Sequence, residues 1–211
     1  MKQARLDQLA DGIFAIVMTI LVFEIRVPEF TGPVTDALLL ELFYEIYPLF
    51  LSYLLSFALL FTYWRSHHFI VSVFAKNIDM TLTNINAVFF FFVGLVPFSA
   101  HFLGKYSTHN LAIIFFATNI FLISLILFIM RRHVEKSESI ENMRVTHIEN
   151  MHAYTRILFP LVCAVIAVLV SFYNTRLALF LFTIGILFNI LPGSTSAMFS
   201  IFEFFIGKKI K

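Results

Sequence analysis

Two adjacent histidines, His67 and His68, end an apolar run that reads FTYWRSHH. On a helix, neighbouring side chains diverge by about 100°, so the pair lacks the i, i+4 spacing with which two histidines grip one metal ion. No carboxylate or further histidine stands three or four residues from either of them. The spacing therefore points to packing and hydrogen bonding between helices, and no metal site is expected. His101 and His109 flank a short link and are expected to be solvated, with sensitivity to pH as their one property. Cys163 is the single cysteine, which excludes an intrachain disulfide and a multi-cysteine metal site. Within its apolar run it reads as a small buried hydrophobe.

Carboxylates raise a second chemistry. The stretch ARLDQLADGIFAIVMTILVFEIRVP, residues 4–28, carries Arg5, Asp7 and Asp11 in its first turns and Glu24 in its last. A carboxylate at membrane depth is by default a functional-site hypothesis. From Ile16, helical spacing puts Thr19, Ile20 and Phe23 on one face. That face has one hydroxyl between bulky apolar side chains. Two readings stand open: lipid or core packing, or the apolar constriction of a pore that gates by dewetting.

Other chemistries lack their motifs. There is no Gly-x-Ser-x-Gly elbow, His-Glu-x-x-His helix, glycine-rich phosphate loop or heme-attachment motif, so neither enzymatic activity nor a cofactor is expected. No Thr-Val-Gly-Tyr-Gly stretch supplies a carbonyl-lined filter. Charges are scarce at mid-membrane positions, which argues against a proton-driven transporter with a carboxylate relay.

The elements that position these residues follow from composition. The chain has 211 residues, 60% hydrophobic and 13% charged, with 28 phenylalanines. Soluble domains run at about 45–50% apolar and about 25% charged, so the expected class is an all-α integral membrane protein. A net charge of +2 gives no reason to expect a nucleic-acid partner. A bilayer core about 30 Å thick needs roughly 20 apolar helical residues. Six segments approach that: Leu9–Val27, Leu38–Trp64, Ile85–Leu103, Leu111–Met130, Ile157–Tyr173 and Leu177–Leu191, the last stopped by Pro192-Gly193. Pro97 predicts a kink near the end of the third. Asn84 and Asn86 are placed to cap that helix or bond across to another, and Asn119 and Asn189 need partners from neighbouring helices. The first run is too long for a signal peptide and is expected to be retained.

Twelve of the fifteen lysines and arginines fall on one set of ends; only Arg26, Lys105 and Arg176 fall on the other. That bias predicts six spans with both termini in the cytoplasm. Glu24, Glu29, Asp36, Glu41 and Glu45 then form an acidic outer rim that concentrates cations. The polar link KSESIENMRVTHIE, residues 136–149, is read as an extension of the fourth or fifth helix into water. Residues 1–193 read as one six-helix unit. Residues 194–211 read as an interfacial helix with a basic end that favours anionic lipid.

The residues in this frame resemble the transmembrane protein 175 family, potassium-permeable channels of endosomes and lysosomes with shorter prokaryotic members. The family's first-helix signature, Arg-x-x-x-Phe-Ser-Asp, reads here as Arg5-Leu6-Asp7-Gln8-Leu9-Ala10-Asp11, with ends kept and centre altered. GIFAIVMTILVFEIRVP, YWRSHH and FFFFVGLVPFSAHFLGKYS are similar to the family's first three helices. The resemblance runs from Arg5 to about Gly193 and is weakest in the last three spans. It implies a homotetramer of six-helix subunits in the cell membrane, with the first helix lining a central pore. It places Ile16, Ile20 and Phe23 at pore-lining positions and Thr19 as a hydroxyl ring. It also implies a network of Arg5 and Asp11 with Trp64 and with His67 or His68; the hydroxyl of the family's serine is missing at Ala10. The implied permeant species are potassium and other monovalent cations, moving passively without a cofactor. A secondary transporter coupled to protons or another ion is the alternative, and a non-conducting membrane scaffold is a third reading.

Overall fold

The computed structural model describes residues 3–30, 32–143, 145–191 and 193–206, with side chains to residue 200. The architecture is all-helical: α1 (Gln3–Ile20), α2 (Asp36–His68), α3 (Met80–Gly94), α4 (Val96–Lys105), α5 (Asn110–Lys136), α6 (His147–Ser171), α7 (Thr175–Ile190) and α8 (Ser194–Ile206). Five stretches are long and apolar enough to cross a membrane, and α7 with α8 makes a sixth only if the bent pair counts as one span. At 16 residues α7 rises about 24 Å, short of a bilayer core of about 30 Å. A 103° bend then separates it from α8. Gly193, at φ +77°, supplies the left-handed residue between them. Pro192, Lys2, Arg144 and the terminal Lys208, Lys209 and Lys211 lie outside the described residues.

Helix ends differ from the expected spans where local chemistry decides. A 3-10 turn over Leu21–Glu24 finishes α1, so Val27 lies in an extended connection. A wider π turn over Phe69–Phe74 carries α2 on past His68. The third span breaks at Leu95, two residues before Pro97, as the kink predicts. Of the polar link 136–149, Lys136 closes α5 and His147 opens α6. Side-chain caps fix several starts. Thr35 accepts from Leu38 N, Asp79 from Leu82 N, and Asn174 from Arg176 N and Leu177 N. Thr146 and Glu149 close a reciprocal capping box.

Small residues set the closest helix approaches. A Cβ on Gly104 would lie 2.8 Å from Leu49 Cα, so α4 crosses α2 backbone to backbone. A Cβ on Gly185 would lie 3.0 Å from Cys163 Cβ, where α7 meets α6. Cys163 is buried in that contact and unpaired, as the sequence implies. The core runs continuously from α1 through α3 and α5 to α7, and includes Phe14, Phe89, Phe116 and Phe182.

Candidate functional site: the uncovered face of the first helix

α1 divides cleanly into two faces. Leu6, Ala10, Phe14 and Val17 recur at helical spacing and are buried, and Leu21 of the following 3-10 turn continues that side. Ile16, Thr19, Ile20 and Phe23 lie on the uncovered side, with Ile16 61% and Phe23 72% exposed. Gly12 stands on the same side, and a Cβ there would meet nothing within 4 Å. The Thr19 hydroxyl donates to the carbonyls of Ala15 and Ile16 at 2.8 and 2.9 Å. With its hydrogen spent on its own helix, the oxygen keeps lone pairs directed outward, so it can act as an acceptor.

Polar contacts hold α1 at both ends. The Gln3 amide donates to the Ala75 carbonyl at 2.9 Å and to that of Val71, covering one carbonyl of the π turn and that of the residue after it. Asp7 Oδ1 accepts from Ser72 Oγ at 2.7 Å. Asp11 Oδ1 accepts from Trp64 Nε1 at 2.8 Å. At the far end Glu24 Oε2 lies 3.1 Å from His101 Nδ1, joining the 3-10 turn to α4. His101 is therefore half-buried and paired, not solvated as its position in the sequence suggests. His109 stays at the link and contacts Thr108.

Between these ends Phe14 is the wedge. Its ring packs on Phe89 and His67, with centroids 6.0 and 6.4 Å away. His67 is fully buried, stacked on Phe89 at 5.1 Å, and its Nε2 meets Asn86 Oδ1 at 2.5 Å. Asn86 Nδ2 donates to the Leu82 carbonyl, so Oδ1 is the acceptor and His67 Nε2 carries the hydrogen. The two histidines separate as their 100° divergence requires. His68 is exposed and stacks on Trp64 at 5.9 Å.

Of the nine residues expected at the site, the structure brings Asp11, Trp64 and His68 into one cluster. His67 joins a different one, with Asn86 and Phe14. Neither histidine bonds to Asp11, and Arg5 is exposed without a hydrogen bond or ion pair among the described residues. Gln3, Ser72 and Asn86 were not assigned to the site from sequence. Only Asn86 carries a signal, as an amide near the start of the third span placed to cap that helix or bond across to another; the structure gives the second. Asn119 Nδ2 likewise finds Ser99 Oγ, and Asn189 Nδ2 finds the Arg156 carbonyl. No group of three or more metal-ligating side chains occurs among the described residues.

Known proteins match parts of this chain in sequence and most of it in fold. A family model described as endosomal/lysosomal potassium channel TMEM175 matches residues 5–97. A potassium channel of Chamaesiphon minutus is 34% identical over 108 residues, 51% of this chain and 52% of that protein. One from Chryseobacterium sp. is 32% identical over 104 residues, 49% and 50% of the two chains. The matched stretch thus spans about half the length of these curated relatives. A crystal structure of a lysosomal potassium-selective channel TMEM175 homolog from Chamaesiphon minutus superposes with a TM-score of 0.75 at 24% identity, over 89% of this chain and 96% of that one. Residues 5–97 match that family's model, and 89% of this chain shares the fold of that homolog.

Proposed function

We propose that this chain is a passive, potassium-permeable cation channel of the cell membrane, a homotetramer in which α1 of each subunit lines a central pore. One observation carries the reading. α1 is pinned at both ends and wedged by Phe14, yet its Ile16, Thr19, Ile20 and Phe23 side is left uncovered. Relatives named as potassium channels match the segment that holds this helix.

Four copies of that face would make rings of apolar side chains around a ring of Thr19 hydroxyls. A cation would shed part of its water to pass Ile16 and Ile20, with threonine oxygens as partial replacement. Potassium loses water at lower cost than sodium, and no carbonyl cage sharpens the choice, so selectivity is modest. Glu29, Asp36, Glu41 and Glu45 are exposed and raise the cation concentration at the mouth. The driving force is the gradient plus the membrane potential, about 2.3 kcal/mol per charge per 100 mV. The lysine and arginine bias sets both termini in the cytoplasm. Residues 1–193 form the conducting unit, bounded by lipid and its own copies, and the tail beyond lies along the interface.

Single-channel recording from purified protein in planar bilayers tests this reading against the ion-coupled transporter. Discrete, unsaturated potassium currents support the channel. Saturating flux coupled to a second ion supports the transporter, and no flux at all leaves the scaffold.

A further inference from the structure

A cavity of about 560 Å³ opens where α2, α5, α6 and the start of α8 converge, at the opposite end of the bundle from Glu24 and His101. Arg65, Arg131, His152 and Arg156 line it, together with Glu149 and an apolar wall that includes Ile70 and Val145. Arg131 is fully buried. Its Nη2 donates to Asn150 Oδ1 at 2.6 Å, while Nε and Nη1 have no acceptor among the described residues. The guanidinium lies 4.0 Å from the Phe74 ring centroid, and no carboxylate forms an ion pair with it among the described residues.

The nearby acids are committed elsewhere. Glu135 takes Asn150 and Tyr154 through its two oxygens and approaches Arg132. Glu149 accepts from Thr146 in the capping box. The His152 Nδ1 meets Thr195 Oγ1 at 2.7 Å. A buried guanidinium with two unused donor nitrogens is costly, and Arg65 and Arg156 on the same cavity add to the positive charge there. A phosphate group in the cavity would offset that charge, with the partly exposed Arg65 and Arg156 as the side chains that can meet its oxygens and the Arg131 charge behind them. The apolar wall suits a hydrocarbon stem attached to that phosphate.

We propose that this cavity is a binding site for a phosphate-bearing anion, with the headgroup of an anionic phospholipid as the occupant its apolar wall favours. The test is thermal unfolding of the full chain in detergent with added dioleoyl-phosphatidylglycerol, dioleoyl-phosphatidylcholine, or inorganic phosphate against chloride at equal ionic strength. Arg131 is too buried for a harmless substitution, so Arg156→Gln carries the test; its recorded hydrogen bond uses the backbone carbonyl. Arg132→Gln, exposed and outside the cavity, is the control.

Phosphatidylglycerol should raise the wild-type and Arg132→Gln midpoints by on the order of 5 °C at saturation, and Arg156→Gln by much less. Phosphatidylcholine should do neither. A shift by inorganic phosphate alone, lost in Arg156→Gln, keeps the site and makes the occupant a soluble anion. Equal shifts in wild type and Arg156→Gln, or no shift with any anion, overturns the proposal. The readout involves no ion flux, so it is independent of the channel reading.

Discussion

The indole Nε1–H of Trp64 donates to Oδ1 of Asp11 at 2.8 Å, joining the third turn of α1 to the last turns of α2. This bond, with the Ser72–Asp7 bond beside it, fixes the rotation of α1 about its own axis. That rotation decides which side chains α1 buries and which it presents. The acids that stand out in the sequence thus act as struts for an apolar face.

Trp64→Phe keeps the ring and its stacking on His68 but removes the donor. The loss should be about 1 kcal/mol, at the modest end for a bond to a charged acceptor because Asp11 is exposed. Thermal melts of Trp64→Phe and Asp11→Asn, with the double mutant, measure it; the double mutant should be little worse than either single. Arg5→Gln should leave subunit stability within about 0.5 kcal/mol.

The His67–Asn86 bond is buried away from solvent. Asn86→Ala should cost about 1–3 kcal/mol, because the Nε2–H is left without an acceptor. His67→Phe in the same background should recover part of that loss by removing the orphaned donor. A double-mutant cycle by chemical unfolding reads the coupling.

Gly104 lies against the α2 backbone, so Gly104→Ala cannot be relieved by a side-chain rotation at Leu49. A loss of about 1–3 kcal/mol or a failure to assemble is expected. Gly94→Ala, with nothing within 4 Å of the new Cβ, is the matched control and should be near neutral. Detergent size-exclusion profiles and melting midpoints separate the two.

Asp79 links α3 to α5 and to the connection after it, accepting from Leu82 N, His133 Nε2, Ser137 and Ser139. Burial pushes its carboxyl up, but these donors outweigh burial and hold it below the usual carboxylate range. A depressed folded-state pKa means the stabilisation is present above the unfolded value of about 3.9 and is lost as pH falls through the folded one. The midpoint difference between wild type and Asp79→Asn should therefore be constant near neutrality and shrink below about pH 4.

The helical class and most spans were legible because bilayer thickness imposes long apolar runs. Pro97 announced the break at Leu95. The π turn after His68 was not legible: FIVSVF continues the apolar run, and the Gln3 amide that bonds to its Val71 carbonyl is remote in sequence. Adjacent histidines predict divergence but not destination, since Asn86 and Trp64 lie on different elements. His101 looked solvated because its partner Glu24 is remote in sequence. Arg131 counted only as a basic helix end, because burial among Phe69, Phe74 and Tyr154 depends on three separate segments.

The most direct measurement of the central claim is potassium flux from liposomes holding wild type, Ile16→Asn or Leu169→Asn, the last an exposed α6 position on another surface. If the uncovered face of α1 is the constriction, Ile16→Asn wets it and raises flux severalfold, while Leu169→Asn matches wild type. Equal flux from wild type and Ile16→Asn at equal incorporation would contradict the account.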